Sequence, residues 1–128
     1  MNTIATYTAY ATSAFIFIPA GRDIISYKTP LLPGEAATRK LMTATKPAAR
    51  NFMWGVWGLN HCALSYLKCL AIYKNDKSLL QFLTVTAAIT FGYLLKEKNQ
   101  FDKAGGDING FLVLCGVQTA ALTYLSLA

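Results

Sequence analysis

Charge is scarce in this sequence. Asp, Glu, Lys and Arg make up 14% of its 128 residues, where a soluble domain carries about 25%. Only six residues are acidic, and all six fall in loops or at the ends of apolar stretches. No carboxylate is therefore placed to carry a proton or ion path through a hydrophobic segment, which argues against a pump or transporter acting alone. Histidine occurs once, at His61. The three cysteines, Cys62, Cys69 and Cys115, show no CxxC or Cys/His spacing that would hold zinc. Cys62 and Cys69 would sit about 10 Å apart along a helix, too far to bridge. Ser13, Ser65, Ser78 and Ser126 lack a GxSxG setting, and P-loop, GxGxxG, HExxH and paired-carboxylate patterns are all missing. Gly105–Gly106–Asp107 reads as a turn with a helix cap and not as a phosphate cradle. Nothing here marks an enzyme.

What is present is apolar length. Hydrophobic residues reach 54%, and the charges gather in two stretches, Arg22 to Arg50 and Lys96 to Lys103, leaving long segments nearly free of them. This patterning predicts an all-α integral membrane protein with four transmembrane helices over about 4–20, 50–73, 79–95 and 108–128, and a basic loop over 21–49 between the first and second. The first stretch, Ile4 to Ala20, has no basic residue ahead of it, so it reads as a retained span and not a cleaved signal peptide. Its ~17 residues are short for a ~30 Å hydrocarbon core. In the basic loop, Glu35 to Ala44 suits a short surface helix with Leu41 and Met42 toward lipid. The second span opens near Pro47, a good first-turn residue. It has Trp54 and Trp57 near one end and Tyr66 and Tyr73 toward the other, as interfacial belts require. Ser78 is the expected N-cap of the third span and Asp107 that of the fourth.

The loops after spans one and three hold nine basic residues: Arg22, Lys28, Arg39, Lys40, Lys46, Arg50, Lys96, Lys98 and Lys103. The opposite side holds Lys74 and Lys77. The positive-inside rule then puts the basic loop in the cytosol, matrix or stroma and both termini outside. The net charge of +6 is accounted for by these flanking loops and implies no nucleic acid.

Three groups of residues invite a functional reading. His61 stands on a helical face with Trp54, Trp57, Gly58, Ser65 and Lys68. It could be an axial ligand of haem or chlorophyll, with Gly58 opening room for the ring, but a hydrogen bond to a neighbouring helix is the plainer role. Lys68, deep in the same span, is expected to snorkel toward the Lys74 side, the alternative being an acidic residue on a partner. Arg39, Lys40, Lys46, Arg50 and Trp54 form a corner suited to an anionic phospholipid, cardiolipin in a mitochondrial membrane: Arg50 can hold a phosphate with two bonds, and Trp54 follows one turn later. Gly55, Gly58, Gly92, Gly116 and Ala120 suit close helix packing within the chain, and Thr84, Thr86, Thr90, Gln81, Gln118 and Thr119 can bond between helices.

These features suit a non-catalytic accessory subunit of a large organellar energy-transducing membrane complex, the mitochondrial respiratory chain or ATP synthase. Its partners would be other membrane subunits and anionic lipid, without a soluble substrate. A photosystem subunit binding chlorophyll through His61 in the thylakoid is an alternative. Another comes from Ala49–Arg50–Asn51–Phe52 before a Trp-bearing span, a short link, and a third span ending in Lys96–Glu97. Over about half the chain this arrangement resembles the small four-span scaffold proteins of sterol biosynthesis, and the resemblance implies a scaffold of the endoplasmic reticulum. The first span has no clear counterpart there.

Overall fold

In the computed structural model the described residues are 2–25, 47–103 and 108–128. They form four α-helices and no strand: α1 Thr3–Ile25, α2 Pro47–Lys74, α3 Lys77–Lys103 and α4 Asn109–Leu127. At the standard rise these are about 34, 42, 40 and 28 Å long. Among the described residues, Lys77–Gln100 and Asn109–Leu127 are long and apolar enough to cross a membrane, and α1 contributes a shorter apolar segment, Thr3–Ile18. Polar Asn60, His61 and Lys68 run through the middle of α2, which is not among those segments.

Local chemistry fixes the helix ends. The Asn2 side chain accepts the Ile4 and Ala5 backbone N–H groups at 3.0 and 3.4 Å, capping α1. α1 then runs past the expected Ala20 to Ile25, through Pro19, which has no N–H to give the carbonyl one turn back. α2 closes with the N–H of Asp76 on the carbonyl of Ala71 at 3.0 Å and that of Asn75 on Ile72 at 3.2 Å. This is the Schellman pairing. It requires Asn75 to take a left-handed φ of 51°, which Asn tolerates better than most residues. Asp76 opens α3 at once, its carboxylate accepting the Leu79 N–H at 3.0 Å. The cap is thus Asp76 and not Ser78, which lies inside the first turn. The Asp107 cap falls outside the described residues; Ile108 precedes α4 with no side-chain cap bond. α3 also outlasts the apolar run, continuing from Leu95 to Lys103, where Lys98 pairs with Asp102 at 2.7 Å one turn on.

The helices pack up and down. α1 lies against α2 and α4, and α3 lies against α4; the α2/α3 seam is the least packed of these interfaces. One end of the group holds the start of α1, the two-residue link Asn75–Asp76 and the close of α4. A core of Ala9, Ala71, Ile72, Leu80, Leu83, Ala121, Leu122 and Leu125 fills it. Lys77 adds a bond across this end, its ammonium donating to the Leu125 carbonyl at 2.9 Å. That carbonyl is among the last of α4, where a cation is favoured. At the other end Ile108, just before α4, and Leu112 of α4 meet Phe91 and Leu94 of α3. Lys96, Lys98 and Lys103 of α3 lie at that end, and Lys74 and Lys77 flank the link at the opposite one.

Small residues divide into two sets. Gly58 is buried, and a side chain at Gly116 would come within 3.4 Å of the Phe91 ring, so α3 and α4 approach closely there. Gly55 and Gly92 have nothing within 4 Å of the position a Cβ would take, and Ala120 is exposed. These three do not serve packing between the described helices, contrary to expectation.

A candidate polar site between the helices

The most informative feature is where polarity sits. Thr12, Ser13, Ser65, Lys68, Gln118 and Ser126 are buried, while Tyr7, Phe15, Ile18, Leu59, Tyr66, Phe82, Val85, Ile89, Val113 and Val117 face outward. Asn60 and Gln81 are polar and exposed and stand out against this apolar surface. A water-soluble bundle has the reverse arrangement.

Lys68 is the centre of the buried set. It is 9% exposed, and its ammonium donates to the side-chain carbonyl of Gln118 at 2.8 Å. The Gln118 amide in turn lies 3.3 Å from Ser13 Oγ and 3.4 Å from Thr12 Oγ1. The chain of bonds therefore ties α2 to α4 and α4 to α1. The expected snorkelling toward Lys74 does not occur. The reason lies in helix geometry: side chains lean toward the N-terminus of their own helix. From position 68 that direction leads toward His61 and the middle of the group, away from the link. Gln118 waits there with a free acceptor.

Most of the other candidate cross-helix donors are spent locally. The hydroxyls of Thr84, Thr86, Thr90 and Thr119 each donate to the carbonyl four residues back, at 2.7 to 2.9 Å. Gln81 is exposed. Of the six residues expected to bond between helices, Gln118 is the one whose described bonds do so. Ser65 differs from the threonines: its Oγ is buried and has no hydrogen-bond partner.

Beside Lys68 lies a cavity of about 40 Å³ lined by residues of all four helices, including His61, Thr86, Thr90, Cys115 and Gln118. Its volume suits a water or two. His61 borders it, and the imidazole packs against Trp57 with ring centroids 4.0 Å apart and planes tilted by 53°. A second space of about 260 Å³, between α1 and α2, is lined by Ser13, Phe17, Ser65, Tyr66 and Cys69. Among the described residues no group of three or more His, Cys, Asp or Glu could hold a metal ion.

The lipid corner cannot be placed in the same way. Arg39, Lys40 and Lys46 lie outside the described residues. Arg50 and Trp54 occupy the first two turns of α2, and their side chains are likewise outside. The cysteines are free thiols, with Cys62 donating to the Phe17 carbonyl at 3.7 Å and so joining α2 to α1.

No family model, no curated protein and no solved structure matches this chain.

Proposed function

We propose that the chain is a four-span helical membrane protein serving as a non-catalytic accessory subunit of a large energy-transducing complex. The mitochondrial respiratory chain or ATP synthase is the setting that suits it best. The observation that carries this reading is a bulky apolar outer surface around an interior that includes polar groups. Bulky apolar side chains face outward on every helix, and the buried polar groups are largely used up in bonds between and within helices. Such a surface suits lipid and other membrane subunits. The polar interior is small, and its described groups serve to bind helix to helix. Its basic residues suit the negatively charged face of an inner membrane.

In a native detergent extract the protein should travel with a particle many times its own 14.0 kDa mass. Loss of the chain should weaken that particle. Catalysis or solute flux by the purified protein alone would overturn the reading. The identity of the co-purifying proteins decides the setting: sterol-synthesis enzymes would instead support the scaffold role that Ala49–Phe52 suggests, and a pigment-bearing particle the photosystem role. For topology, a cysteine at Asn75 in a background without the native thiols should react with an impermeant reagent added outside, and one at Thr45 should not. Reversed labelling would invert the orientation.

The basic corner is proposed to hold an anionic phospholipid. Replacing Arg50 and Lys46 with Gln should lower the anionic lipid retained on purification, measured by mass spectrometry, with unchanged topology. Unaltered lipid together with lost subunits would assign those charges to protein contacts.

A further inference from the structure

We propose that Lys68 is the docking cation for a carboxylate carried on a membrane-spanning segment of a partner subunit, received through the seam between α2 and α3. The inference rests on the accessory-subunit reading and names the chemistry of the partner.

Lys68 is a charged group in the wrong surroundings. An ammonium has three N–H donors and wants a counter-charge when it leaves water. Here it is 9% exposed, and its hydrogen bond among the described residues goes to the neutral Gln118. Among the described residues the surroundings offer no anion. The cavity against Lys68 is lined by His61, three threonines, Cys115, Gln118 and apolar residues. The acids whose side chains are described, Asp76, Glu97 and Asp102, stand toward helix ends, two of them in the cap and the ion pair already given. A charge kept inside a membrane protein without its own partner marks a functional contact.

The cavity also has the right polarity for what is missing. Thr86, Thr90 and Thr119 each give their proton to their own helix, and the Gln118 amide faces Ser13 and Thr12. Lys68, His61 and the weaker Cys115 thiol are the lining groups left to donate to an incoming acceptor. A carboxylate accepts from the ammonium and supplies the counter-charge it lacks. Access is set by packing. α1 closes against α2 and α4, and α3 against α4, whereas the α2/α3 seam is the least packed of these interfaces. The cavity beside Lys68 is lined on that seam by His61 and Leu64 of α2 and by Thr86, Ala87 and Thr90 of α3.

Two variants and one cross-link test this. Lys68→Met keeps the length and removes the charge. Gln118→Glu keeps the shape and supplies Lys68 with a carboxylate of its own, so the partner's is no longer needed. Both should leave the purified chain helical and monodisperse, and both should cut the partner retained in the native particle at least tenfold. In native membranes treated with dicyclohexylcarbodiimide, the wild type should yield an amide between Lys68 and an Asp or Glu of another chain. If the wild type enters no particle at all, the accessory-subunit reading fails and this one falls with it. If the wild type enters the particle and both variants are retained as well, the docking role of Lys68 alone is overturned. An amide from Lys68 to a fatty acid, or to an acid of this same chain, would also overturn it.

Discussion

The two halves of the bundle solve the same packing problem with opposite materials. Around the Asn75–Asp76 link the interior is Ala, Ile and Leu, nearly all fully buried. Two turns further in, it is Lys68, Gln118, Ser13 and Thr12, with a cavity beside them. The first arrangement gains from dispersion at close range and asks for shape. The second gains from direction and asks for the correct partner on each donor. A bundle that needed only to hold together would extend the first arrangement along its whole length. The polar middle is the costly half and therefore the half that carries specificity.

That contrast can be broken most severely from the apolar side. Leu122→Ala removes a fully buried side chain from the tight end and should cost about 2–5 kcal/mol, measured by reversible unfolding in mixed micelles. A loss under 1 kcal/mol would mean that the end is less closely packed than its burial implies. Gln118→Leu attacks the polar half. It leaves the Lys68 ammonium without its acceptor and should cost about 1–3 kcal/mol in the same assay, with Gln118→Glu restoring the loss. An unchanged midpoint for Gln118→Leu would show that water serves Lys68 equally well.

The link offers a smaller effect that separates local from tertiary stabilisation. Asp76→Ala deletes the cap on Leu79 and should cost about 1 kcal/mol, while Asp76→Asn or Asp76→Ser should be nearly neutral. The smallest expected change is at Gly92, where a side chain meets nothing within 4 Å. Gly92→Ala should leave the isolated chain unchanged or gain up to about 1 kcal/mol of helix propensity. Gly116→Ala, pressing on Phe91 at 3.4 Å, should be the less favourable of the pair. If Gly92→Ala weakens the native particle while strengthening the isolated chain, that open face is where a partner helix lies.

The helices were legible in the sequence because apolar runs and punctuation are local signals. Pro47 at the start of α2 and the turn after Lys74 follow from them directly. Helix length beyond the apolar run was not. Lys96 to Lys103 keeps good helix formers and an i,i+4 ion pair, so α3 continues after its hydrophobic stretch has ended. The Ser78 expectation missed because Asp76 stands two residues earlier and its carboxylate takes the Leu79 N–H, so the helix has already begun at Lys77. At the site, the sequence singled out His61 and Lys68 on one face, and the structure does bring both to one cavity. What could not be read was that Gln118, 50 positions away, is the residue that meets Lys68. Six polar side chains were equally eligible, and only the diagonal placement of α2 and α4 selects among them.

The Asn75–Asp76 link has a mechanical side. With the Schellman pairing locking one helix end and the Asp76 cap locking the next, there is no slack between α2 and α3, and the pair behaves like dividers pinned at the tip. A change of 5° in their spread moves the far end of α2, about 40 Å from the pin, by roughly 3.5 Å. At Lys68, about 10 Å from the pin, the same swing amounts to about 1 Å. The aperture can therefore widen about four times as far at its mouth as at Lys68. An incoming group would find a broad entrance and a steadier stop.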